Sequence, residues 1–186
     1  MADNGTKIIT GLLVIAVIIT MSVFAYYEWW SGGEDEEIML TALYGGETWE
    51  YTLSDLIDID DYRGSGGMST KTGIRSSHDY TGVRFELLLQ NIGISNASSV
   101  EAKVIAVDGY NQTFTSDILL GNVTIYDATG NETNGTVTLI IAYEEDGVLI
   151  SKDDGPLRLV FVADEPAYTT SKYWIKQVSS VGILAT

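Results

Sequence analysis

The chain has 186 residues, a formal net charge of −16 at pH 7, no cysteine and one histidine. That charge opposes contact with phosphate backbones, which argues against nucleic acid as a partner. The missing thiols exclude thiolate metal sites, thiol nucleophiles and iron–sulfur clusters, and a lone histidine excludes a multi-histidine zinc or copper site within one chain.

Residues 1–7 read as a short cytoplasmic amino terminus. Residues 8–27 carry no charge, and twenty residues at the helical rise cover about 30 Å, the thickness of a bilayer core. The reading is a single transmembrane helix, with the membrane as its partner. Lys7 before it and Tyr26, Tyr27, Trp29 and Trp30 at its far end place the amino terminus inside and the carboxyl-terminal domain outside the cell. Two alternatives stand beside this signal-anchor: cleavage near Val23-Phe24-Ala25 as a signal peptide, and packing of the apolar helix against copies of itself in an extracellular filament. Residues 28–37 form an acidic linker, and residues 38–186 suffice for one domain.

Within that domain, residues 38–44 and 47–52 predict a hairpin turning at Gly45-Gly46. A capped helical turn follows at Thr52-Leu53-Ser54-Asp55-Leu56-Ile57. Residues 58–79, rich in Asp, Gly and Ser, are expected to be a long surface loop. Residues 81–93 show apolar positions at helical spacing with Gly93 as a stop, and predict the longest helix outside the membrane. Strands are expected at 100–108, 112–115, 122–126, 136–143, 148–151, 157–162 and 172–183, with a helical turn at 116–120. Few short helices among many strands, without a βαβ rhythm, predict an α+β class: a transmembrane helix followed by one mostly-β mixed domain.

After Tyr27 the chain has six asparagines, and all but Asn91 head an Asn-X-Ser/Thr triplet: Asn96, Asn111, Asn122, Asn131 and Asn134. Ser and Thr at roughly one position in five would supply about one by chance. Such triplets matter where a glycosylation machinery reaches them, so a glycosylated, extracellular domain is expected.

Five stretches in order resemble the oxidoreductase molybdopterin-binding domain of the sulfite oxidase family. They are Tyr51-Thr52-Leu53-Ser54-Asp55-Leu56; Tyr80-Thr81-Gly82-Val83 with Leu87-Leu88 and Gly93-Ile94; Asp108-Gly109-Tyr110; Gly155-Pro156-Leu157-Arg158-Leu159-Val160; and Lys172-Tyr173-Trp174-Ile175-Lys176. The resemblance implies that family's mixed fold with a pterin cofactor in a cleft. Catalytic members hold molybdenum through a cysteine, which this chain lacks; the usual proline is missing near Phe161-Val162-Ala163, and Tyr173 replaces the lysine before the Trp. The expectation is therefore the fold without molybdenum catalysis, molybdopterin entering by resemblance only. The alternative is a component that still holds the pterin.

Arg158 is the candidate cofactor-binding residue, either an anion-binding group in the cleft or a strand residue paired with a nearby carboxylate. His78 beside Asp79, Ser76 and Ser77 reads as a surface-loop histidine, because adjacency does not build a catalytic triad. Asp58, Asp60 and Asp61 before Gly64 suggest a calcium loop, but Arg63 and the missing bidentate Glu favour a solvated turn. Gly64 to Gly67 lacks the Lys-Ser/Thr ending of a phosphate loop. The combined reading is a membrane-anchored, glycosylated binding or structural module that meets a protein partner or its own copies.

Overall fold

The computed structural model describes residues 37–153 and 155–185. The chain opens with β1 (Leu40–Tyr44) and β2 (Glu47–Tyr51), joined at Gly45 and Gly46, whose φ angles of 60° and 89° are those a tight hairpin demands. Helix α1 (Leu53–Ile59) begins in a capping box: Thr52 accepts from the Asp55 amide, and the Asp55 carboxylate accepts from Thr52 N. Strands β3 (Tyr62–Thr70), β4 (Gly73–Ile74) and β5 (His78–Arg84) lead into α2 (Phe85–Asn91). A 3₁₀ turn (Ala97–Ser99), β6 (Val100–Ala106), β7 (Asn111–Phe114), α3 (Ser116–Leu119), β8 (Ile125–Tyr126) and β9 (Glu132–Thr133) follow. The chain ends through β10 (Thr138–Glu145), β11 (Val148–Leu149), β12 (Arg158–Val162), β13 (Ala167–Thr170), a 3₁₀ turn (Ser171–Tyr173), β14 (Ile175–Lys176) and β15 (Val178–Ala185).

These strands form two sheets. One runs β2-β1-β15-β6-β7, and the other runs β14-β12-β10-β5-β3-β13-β8-β9, with β11 and β4 paired beside β10 and β3. Pairs β1/β15 and β3/β13 are parallel; the remaining ladders are antiparallel. Leu40, Leu56, Phe85, Leu89, Val104, Phe114, Leu159 and Phe161 belong to one main core fed by both sheets and by α1 and α2. Alternation then assigns Ile140, Ala142, Val160 and Val162 to the opposite face of β10 and β12, where with Tyr80 and Ile150 they form a second core covered by Tyr62 and Trp174.

That second core exists because β12, β10, β5 and β3 curl into a ring. Ser65 and Ala163 close it, each amide donating to the other's carbonyl at 2.8 and 3.1 Å. The closure is tight. A Cβ at Gly64 would press on Val162 at 2.9 Å, and one at Gly66 would run into the Phe161 carbonyl. Glycine is required there by the approach of a neighbouring backbone.

The structure corrects several expectations. Strands hold 49% of the described residues and helices 16%, so the class is mostly β, not α+β. No helix among the described residues is long and apolar enough to cross a membrane, and the expected span at 8–27, with the linker up to residue 36, lies outside them. The expected loop at 58–79 is largely strand, its glycines meeting the demands of the ring. The expected helix at 81–93 shrinks to seven residues, because Tyr80 to Val83 are buried strand residues whose continuous apolarity imitates a helix. The expected strand at 172–183 is broken at Gln177, whose φ of 57° sends the chain from β14 in one sheet to β15 in the other. Strand β13 has no counterpart among the expected strands.

Candidate functional site

Arg158 opens β12 opposite Ala142 of β10 and Lys176 of β14. Alternation along β12 places its side chain on the face of Val160 and Val162, over the second core. The side chain is only 11% exposed. Its Nη1 donates to Glu145 Oε2 at 2.5 Å, and Tyr80 Oη, directly across the ladder, donates to Glu145 Oε1 at 2.9 Å. Glu145 is thus held from both sides. Burial first, and then the Glu145 carboxylate, push the Tyr80 phenol well above its ordinary range. Arg158 Nε is buried and has no hydrogen-bond partner.

A second layer lies beside this one. The β10–β11 turn sets Asp146 and Gly147 at φ 54° and 77°, the left-handed pair of a tight hairpin. Asp146 Oδ2 lies 2.8 Å from His78 Nδ1, and Asp146 Oδ1 accepts from the Asp79 amide at 3.0 Å. The His78 contact and then the Asp79 amide hold the Asp146 carboxyl below the usual range. Trp174 packs edge-on to Tyr80 with ring centres 5.8 Å apart and donates its Nε1 to Thr169 Oγ1 at 2.8 Å. Together these groups cap the second core with a nearly neutralised set of charges.

Of the two roles open to Arg158, the geometry realises the pairing with a carboxylate. An anion reaching Nη1 would have to displace Glu145. The residues present do not fit a phosphate-bearing pterin at Arg158: among the described residues the only charged partner of the guanidinium is the Glu145 carboxylate, which already balances its charge. His78 finds its carboxylate in Asp146 rather than in adjacent Asp79, while Ser77 Oγ accepts from Tyr168 at 3.5 Å. Asp60 is spent on Arg84, accepting from its backbone N and its Nε at 3.1 and 2.8 Å. Among the described residues no three His, Asp or Glu side chains gather around a metal position. Gly64 to Gly67 belong to β3, not to a phosphate loop.

All five acceptor asparagines are exposed. Asn96 caps the 3₁₀ turn at 97–99, its Oδ1 accepting from the Ser98 amide and hydroxyl at 3.0 and 2.7 Å. Asn111 is the first residue of β7. Asn122 follows α3, and Asn131 and Asn134 flank β9; Asn122 and Asn134 line a shallow hollow of about 620 Å³ with Ile125, Glu132 and Thr133. Sequence reading missed Glu145, Asp146, Tyr80 and Trp174 as a group. The available signal was the Asp146-Gly147 turn, which doubles β10 back beside β5 and brings distant side chains together.

No protein-family profile matches the chain, and no curated protein matches it. Among solved structures, the crystal structure of the sulfane dehydrogenase SoxCD from Paracoccus pantotrophus is similar in fold, with a TM-score of 0.56 at 17% identity. The match covers 82% of this chain and 39% of that one, so the chain spans about two fifths of its neighbour's length. The relation is one of fold. It agrees at that level with the resemblance carried by the five sequence stretches.

Proposed function

We propose that the domain is an exported, N-glycosylated binding module that keeps a sulfite-oxidase-like fold without molybdenum catalysis. The observation that carries the reading is the closure of Arg158 by Glu145 and Tyr80. The largely buried cation of the second core is balanced within the domain, and the chain has no cysteine to offer a metal. The exposure of all five acceptor asparagines supports the exported location, because oligosaccharide transfer needs accessible acceptors.

The test is molybdenum content by elemental mass spectrometry, together with fluorescence of released oxidised pterin, on protein from its own cells. The expected result is neither metal nor pterin. Near-stoichiometric amounts of both would overturn the reading. A second reading, a component that still binds the pterin, is favoured by one observation, the unpartnered Arg158 Nε. It predicts that Arg158→Met abolishes pterin retention.

A further inference from the structure

We infer that the oligosaccharides guard one open edge of each sheet, β7 and β9. This rests on the glycosylation proposed above and adds the place and purpose of the sugars. Among the described residues the two strand orders end at β2 and β7 in one sheet and at β14 and β9 in the other, and the two-residue strands β4 and β11 lie off these paths with one partner each. An edge strand offers unpaired N–H and C=O groups to any passing strand, and folded proteins blunt such edges. All but β7 are blunted by ordinary means. Strand β2 carries Glu47 and Glu50, and β4, β9, β11 and β14 are each two residues long, β9 carrying Glu132 and β14 ending in Lys176.

Strands β7 and β9 are built from acceptor triplets. Strand β7 reads Asn111-Gln112-Thr113-Phe114, so three of its four residues are the triplet, and it holds no charge. Strand β9 is Glu132-Thr133, the rest of the triplet that Asn131 heads, and Asn134 begins the next triplet at once. Asn122 faces the same hollow as β9. Only Asn96, on its 3₁₀ turn, lies away from an edge strand.

Transfer forms a bond between Asn Nδ2 and C1 of an oligosaccharide carried on a lipid-linked phosphate. The C1–O bond to phosphate breaks, and the amide proton leaves with the phosphate. The sugar that remains is wider than the spacing of about 4.8 Å at which strands pair. With one at each end of β9 and one at the start of β7, a second chain cannot lay a strand against either edge.

The experiment begins with glycopeptide mapping of Asn111 and Asn131 in protein from its own cells. Two triple variants made in the same cells are then compared by light scattering on a sizing column. Thr113→Val with Thr133→Val and Thr136→Val removes the Asn111, Asn131 and Asn134 triplets and leaves β7 uncharged; the same three changes to Lys remove the same triplets but put a charge on β7. All three threonines are exposed. The expected result is loss of the monomer to larger species in the valine variant, while the lysine variant, wild type and Asn96→Gln stay monomeric. Enzymatic trimming of the sugars from folded wild-type protein should produce the same loss, which keeps the test valid if the valine variant does not fold. Occupied sites with a trimmed or valine protein that stays monomeric would overturn the guarding role and leave glycosylation standing. Unoccupied Asn111 and Asn131 would overturn the guarding role, and all five acceptors unoccupied would overturn the glycosylation as well.

Discussion

Glu145 answers two donors at once, the Arg158 guanidinium and the Tyr80 hydroxyl, and among the described residues neither has another carboxylate partner. Replacing it by glutamine leaves a guanidinium that is 11% exposed without a counter-charge. Such an uncompensated charge costs several kcal/mol, whereas removing both partners is nearly neutral. Glu145→Gln should therefore lose about 3 kcal/mol in urea unfolding, and Arg158→Met added to it should recover most of that. Equal and additive losses from the two changes would contradict the pairing. A separate residue reports at alkaline pH. Burial, then Asp61, Glu144 and Asp60, push the Tyr143 phenol up to about 12 from its ordinary 10.0. Its neutral form is favoured in the fold, so its contribution is complete below pH 10.0 and is lost as pH rises toward about 12. Tyr143→Phe should flatten that part of the stability profile, followed by thermal melting across alkaline buffers. A profile unchanged by the substitution would show that the phenol is already free to ionise.

At the scale of elements, the ring strand β3 depends on what is missing from its glycines. Gly66→Ala would press a methyl group into the Phe161 carbonyl, and the neighbouring strand can yield only by reopening the Ser65–Ala163 bridge. A loss of about 3 kcal/mol is expected. Gly182→Ala in β15 is the control: only the Lys103 carbonyl comes near, at 4.0 Å, so the change should be neutral or add about 0.5 kcal/mol. Urea midpoints at unchanged slope measure both. The same glycines explain which parts of the fold were legible in sequence. The hairpin at Gly45-Gly46, the capping Thr52 and the stop at Gly93 were readable because their signals are local. Strand β3 read as a loop because Gly64, Gly66 and Gly67 are poor strand formers taken alone, and only the closing backbone makes them necessary. The site was half legible. Arg158 stood out among apolar strand residues, but Glu145 became its partner through the register of β10 against β12 and β5, which no local pattern encodes. His78 read as a lone surface histidine for the same reason: sequence shows neighbours along the chain, and the β10–β11 turn supplies Asp146 across it.

For the whole molecule, charge weighs most. A formal −16 on 186 residues places repulsion throughout the fold, and the paired cations at Arg84, Lys152 and Arg158 relieve it only locally. Screening shortens to about 3 Å at 1 M salt, which weakens repulsion spread over the surface more than it weakens the shielded pair at Arg158. The melting temperature should therefore climb as sodium chloride is raised from about 0.01 to 1 M. A falling midpoint would mean that attractive surface pairs outweigh the repulsion.

The pairing of β1 with β15 has a consequence for how the domain would bear a pull along its chain. Thr41, Ala42 and Leu43 lie in parallel register with Ser180, Val181 and Gly182, so the first and last strands point the same way side by side. A pull on the chain before β1 and after β15 drags these two strands past each other lengthwise. Their ladder is loaded in shear, all rungs together, rather than peeled one rung at a time. Tension between the two ends would thus have to break the rungs of this ladder together before the sheet could open.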